Sequence, residues 1–162
     1  MNVNIRLLLA LIVALILTIL PLPEFMLGVR PPWVLLLLLY AEFYLPKNFS
    51  TISVFFLGLC LDILLFHVIG ENAFALLITT WVATGKTRRF AFFSVGQQMV
   101  LIGLFALIYE SILLLIDAFL GNNYSSITVV GSTILAMLLW PWVRILAESI
   151  FIQKIKSKNF IM

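Results

Sequence analysis

Read for its apolar and polar positions, the chain divides into six apolar stretches, about 5–20, 33–45, 49–66, 72–84, 95–119 and 127–152. Each is expected to be a helix, and the breaks between them carry helix-ending chemistry. Pro21 and Pro23 close the first stretch, and Pro31-Pro32 open the second, where helix N–H groups have no partner and proline costs nothing. The run Val34 to Leu39 has no amphipathic period, so it belongs to a span wet on no face. Pro46-Lys47-Asn48 closes it. At the fourth stretch Asn72 is expected to cap the start and Gly85 the end, and Ser94-Val95-Gly96-Gln97 has the spacing of a capping box ahead of the fifth. Pro141 should kink the sixth.

Two stretches are short. The second, residues 33–45, covers only about 20 Å at ~1.5 Å per residue against a hydrocarbon core of ~30 Å, and the fourth is similar. They must be flanked by protein, by thinned lipid or by re-entrant connections. The connection from Pro21 to Pro32 carries the apolar patch Phe25-Met26-Leu27, which should dip into the interface, with Trp33 at headgroup level.

Composition agrees with the pattern. With 64% hydrophobic and 10% charged residues in 162, the chain cannot cover a soluble domain with polar surface. It reads as an all-α integral membrane protein, one transmembrane domain over residues 1–162 built as a six-helix bundle. The first stretch could be a signal peptide, but no small-x-small cleavage site precedes the prolines, which favours an uncleaved span. Cys60, the single cysteine, lies in an apolar stretch and excludes an intramolecular disulfide. The net charge of +3 matters less than its placement. With a cytoplasmic N-terminus, Arg6, Lys47, Lys86, Arg88, Arg89, Lys154, Lys156 and Lys158 fall inside, whereas Arg30 alone falls outside. The positive-inside rule then places both termini in the cytoplasm.

Candidate chemistry is confined to the spans. Glu42, Asp62, Glu110, Arg144 and Glu148 lie within them, and at ~2.5 to 3.5 kcal/mol for a charge at a helix centre they cannot all face lipid. They are expected to converge on the bundle interior as a polar network. Gly58 and Asp62, four apart, share a face on which a close helix approach and a carboxylate coincide; Gly103, Glu110 and Asp117 recur every seven residues. Arg144 is the cation expected to approach Asp62, and the two are expected to pair across helices. Such a network either locks helices together or forms a pathway for protons or solute; locking is the more economical reading. Enzyme chemistry finds no support. One His and one Cys cannot build a metal cluster, the serines lack a neighbouring base, and no phosphate-binding Gly loop or nucleic-acid patch is present, so no catalytic, cofactor or metal residues are assigned. His67 is expected to be an ordinary polar cap at the outer interface.

Four motifs in register carry a family resemblance: Arg30-Pro31-Pro32-Trp33 leading into a Leu-rich helix with Tyr40; Gly58-x-x-x-Asp62-Ile63; Ile69-Gly70-Glu71-Asn72-Ala73-Phe74; and Leu139-Trp140-Pro141-Trp142. Together they resemble the rod shape-determining MreD family of bacteria over nearly the whole chain. Pro32 stands where the family often has another residue, and Ala41 where it often has Trp. The resemblance marks Arg30, Pro31, Trp33, Gly58, Asp62, Gly70, Asn72, Trp140 and Pro141 as motif residues. It implies a non-enzymatic inner-membrane scaffold of the cell-elongation complex that acts with MreC, with RodA and its penicillin-binding transpeptidase in peptidoglycan synthesis, and indirectly with MreB. It further implies a bundle similar to the substrate-binding subunits of energy-coupling-factor transporters. The alternative is therefore a small-solute or lipid-precursor binding or transport subunit with a pocket in the bundle.

Overall fold

The computed structural model describes residues 3–20, 29–45, 50–121 and 125–151, all in helices and their connections. The Phe25-Met26-Leu27 patch, Lys47, Asn122 to Tyr124 and the lysines Lys154, Lys156 and Lys158 lie outside the described residues. The helices are α1 (Val3–Ile19), α2 (Trp33–Tyr44), α3 (Thr51–Leu65), α4 (Glu71–Thr84), a single turn α5 (Thr87–Phe90), α6 (Val95–Leu120) and α7 (Ser126–Phe151). Among the described residues, only α6 and α7, at 26 residues each, are long and apolar enough by themselves to cross a membrane.

α2 is the central helix. Val34, Leu35, Leu36, Leu38, Leu39, Tyr40, Ala41 and Phe43 are all buried in it, because α1, α4, α6, α7 and the α5 turn pack around it. The absence of a hydrophobic period along the Leu run thus has a direct cause: every face meets protein. Its shortness has the same explanation, since a helix enclosed by longer neighbours need not match the hydrocarbon thickness. α6 packs on α7 and α3 on α4 as antiparallel neighbours. Around this core the outside is apolar too. Leu8 and Ile12 of α1, Phe56 and Ile63 of α3, Leu104 of α6 and Ile145 of α7 are all exposed. Apolar surface on this scale belongs against lipid.

Caps and turns fix the helix ends. Ser94 and Gln97 form the reciprocal capping box at the start of α6, and Gly121, at φ 75°, ends it in the left-handed region that glycine adopts without penalty. α7 continues through Pro141. α3 ends at Phe66, also left-handed at φ 55°, and the chain reverses through Gly70 at φ 102° into α4. Asn72 is therefore not the cap of α4; it lies inside the first turn, and Gly70 occupies the cap position.

α3 and α4 approach very closely. A Cβ on Gly58 would lie 2.2 Å from the Cα of Ala73, so only glycine lets the two backbones meet there. Gly103 on α6 instead makes room for a side chain of α7, since its Cβ would fall 2.6 Å from Met137 Cγ.

Candidate functional site

Two polar clusters occupy opposite ends of the bundle. One lies at the α3–α4 turn, where Asp62 is fully buried. Its Oδ2 accepts from the Gly70 amide at 2.8 Å, and its Oδ1 accepts from the backbone and side-chain amides of Asn72 at 2.8 and 2.9 Å. Asp62 is thus the cap of α4, supplied from the preceding helix. Its carboxylate satisfies N–H groups that the first turn leaves without partners, and it also meets the positive end of the α4 dipole. Asn72 relays the contact onward. Its Nδ2 also approaches His67 Nδ1 at 3.3 Å, and its Oδ1 accepts from the Tyr109 hydroxyl on α6. A chain of side-chain bonds therefore joins α3, α4 and α6.

Beside this cluster is a cavity of about 340 Å³ with a mixed polar and apolar lining, bounded by Thr18 of α1, the Arg30-Pro31-Pro32 segment, Leu65, His67 and Asn72, then Tyr109, Glu110 and Leu113 of α6, and Thr128 and Ser132 of α7. The Ser132 hydroxyl donates to the Arg30 carbonyl at 3.1 Å, which anchors that segment to α7. Glu110 is buried and Arg30 is exposed. Asp117 is also buried, one turn short of the end of α6.

The second cluster centres on Gln98, which is fully buried. Its Nε2 donates to the carbonyls of Phe90 and Phe93 at 3.3 and 3.1 Å, while its Oε1 accepts from Trp140 Nε1 at 3.3 Å and Arg144 Nη1 at 3.1 Å. Both donor hydrogens and both acceptor positions of the amide are engaged. Arg144 also donates through Nε to Glu148 at 2.9 Å, one turn on. Phe90 seats the α5 turn in the core, stacked on Phe43 at 3.8 Å between ring centres and edge-on to Trp140 at 5.6 Å. Glu42 accepts from the Thr84 hydroxyl at 2.9 Å, and at the same end Arg6 donates to the Ile150 carbonyl at 2.6 Å.

This arrangement corrects two expectations, the pairing of Asp62 with Arg144 and the convergence of the five ionisable residues into one network. Asp62 does not pair with Arg144: Asp62 is bonded to Gly70 and Asn72, and Arg144 to Glu148 and Gln98. The physical reason is position along the helices, because Asp62 is near the turn that ends α3 whereas Arg144 is near the opposite end of the bundle, beside the α5 turn. The five ionisable residues therefore divide, with Asp62 and Glu110 toward the α3–α4 turn and Glu42, Arg144 and Glu148 toward the other end. Among the motif residues, Gly58, Asp62, Gly70 and Asn72 meet in the α3–α4 hairpin, and Trp140 is fully buried against Gln98 and Phe90. Pro31 is buried, Trp33 opens α2 partly buried, and Pro141 is half-buried inside α7. Sequence reasoning missed Gln98 and Tyr109. A glutamine directly behind a capping box reads as headgroup material and a tyrosine as apolar filler; the one signal toward burial was that the apolar run of the fifth stretch, from Met99 onward, begins beside Gln98 and continues through Tyr109. Among the described residues, no three His, Cys, Asp or Glu side chains converge on a point that could hold a metal ion.

The family model described as rod shape-determining protein MreD matches residues 1–150. The rod shape-determining protein MreD of Haemophilus influenzae is 27% identical over 139 residues, which cover 86% of this chain and 86% of that protein. No solved structure matches the chain. With the match running from α1 to the last turn of α7 and taking in both polar clusters, the chain belongs to the MreD family of rod shape-determining proteins.

Proposed function

We propose that the protein is a membrane scaffold of the cell-elongation complex, associating with MreC and positioning the peptidoglycan synthases, RodA and its penicillin-binding transpeptidase, with MreB engaged indirectly. In this reading it is a single domain of six spans in the cytoplasmic membrane, with both termini in the cytoplasm and the α5 turn on the cytoplasmic side. One observation carries the scaffold role. The polar side chains at the centre of each cluster are bonded across helices: Asp62 and Asn72 to the α3–α4 turn and Tyr109, Gln98 to Trp140, Arg144 and the α5 turn. Buried polar groups bonded in this way hold helices in register and present a fixed outer surface to partner spans. Membership in a family named for rod shape determination supports the same role.

Depletion in the native rod-shaped cell provides the test. Loss of the protein should convert rods to spheres and reduce recovery of the synthases with MreC from solubilised membranes. Cells that stay rod-shaped, with MreC still holding its synthases, would rule the scaffold out.

A further inference from the structure

The scaffold reading leaves the cavity beside the α3–α4 turn without a role, although its walls combine a cation, a carboxylate, hydroxyls and apolar side chains. At about 340 Å³ it falls in the lower range of small-ligand sites, roughly 300 to 1,000 Å³. It joins a cation, Arg30, and a carboxylate, Glu110, with hydroxyls from Tyr109, Thr128 and Ser132. Arg30 is exposed at the rim and Glu110 is buried, only 4% exposed. The walls are held in place: Ser132 bonds the Arg30 carbonyl, and Tyr109 bonds Asn72, which Asp62 fixes in turn.

Those two charges select against most ligands. A purely anionic molecule would meet the Glu110 carboxylate, a purely cationic one would meet Arg30, and an apolar one would strip water from both. A group that carries both charges a few bonds apart meets neither objection. A carboxylate has about four acceptor positions, so it can accept a ligand N–H alongside bonds within the protein. We infer that the cavity binds a small zwitterionic group, its anionic oxygen toward Arg30 and its ammonium toward Glu110. Such a group is offered by a free amino acid or by the headgroup of phosphatidylethanolamine.

The full chain, purified, separates the sources. In detergent, thermal unfolding and calorimetric titration are followed with glycine, L-alanine and L-glutamine as probes, and with acetate and ethanolamine as single-charge controls. In parallel, thermal unfolding is compared in nanodiscs of phosphatidylethanolamine, phosphatidylcholine, whose nitrogen carries no hydrogen, and phosphatidylglycerol, which has none. Stabilisation by an amino acid but by neither control assigns a free solute; stabilisation by phosphatidylethanolamine alone assigns the headgroup. Arg30→Gln, at the exposed rim, should keep the unliganded melting temperature while weakening the apparent affinity at least about tenfold, as loss of a charge-assisted hydrogen bond requires, and Glu110→Gln should do the same where it folds. No stabilisation in either series, equal stabilisation by a single-charge control, or unchanged binding by Arg30→Gln overturns the inference. The scaffold reading does not depend on these titrations; it stands or falls on the depletion experiment.

Discussion

A carboxylate buried in a membrane bundle needs donors, and Asp62 finds them in backbone amides rather than in a cation. The first turn of every helix presents N–H groups without intrahelical partners, and α4 begins one tight turn after the end of α3, at Glu71. Three hydrogen bonds to Gly70 and Asn72 follow from that proximity. Asp62→Ala should lower stability by about 3 kcal/mol, because it leaves two backbone amides and the Asn72 side chain without their acceptor. Thermal unfolding in detergent would measure this. Because Asp62 and Arg144 share no partner, the loss in Asp62→Ala combined with Arg144→Ala should equal the sum of the separate losses. A double variant markedly more stable than that sum would restore the direct pair. The sequence indicated that Asp62 must be buried and partnered, but not by what, since side-chain cost is legible from residue type and partner identity depends on the turn.

At the scale of elements, the apolar pattern located each of the six longer helices to within two residues at both ends, because prolines, capping residues and loops punctuate it sharply. The α5 turn was not legible. Lys86 to Arg89 read as a cluster of cations, and Phe90, which anchors the segment, follows them as one of three phenylalanines, Phe90, Phe92 and Phe93, with nothing in the sequence to single it out. The Gly58-Asp62 spacing did signal a close approach, and the structure gives it a partner in Ala73. Gly58→Ala should therefore be disruptive although alanine is the better helix former, since the clash is with backbone that no rotamer change can move. A loss of roughly 2 kcal/mol is expected, of the size found when well-packed interiors are overfilled. The control is Gly96→Ala, where a Cβ meets nothing within 4 Å; it should leave the melting temperature unchanged or raise it. Equal behaviour of the two variants would show that α3 and α4 have room to separate.

For the whole molecule, an apolar interior inside an apolar exterior leaves little freedom of placement, and charge then sets orientation. Arg6, Lys86 and Arg89 lie at the end of the bundle where α2 finishes and α6 begins, and Arg30 at the other. A phosphatase fusion after Met162 should accordingly be inactive and one in the α3–α4 turn active, as a cytoplasmic C-terminus requires. The reverse result would invert the orientation and place the cavity beside the α3–α4 turn on the cytoplasmic side. What the sequence could not supply was the division of its buried charges between two ends, because that depends on how far along each helix a residue lies relative to its neighbours.

The Asp62 cap also bears on how such a chain reaches the membrane. Every side-chain acceptor bond of Asp62 is made to a residue no more than ten positions ahead, so the α3–α4 hairpin neutralises the cost of its own buried carboxylate before α6 or α7 has been synthesised. Insertion of this pair as one self-sealed unit removes the need for a cation from a later helix to rescue it. The order of synthesis and the order of burial are thereby matched, with Asn72 holding its remaining acceptor ready for the Tyr109 hydroxyl when α6 arrives.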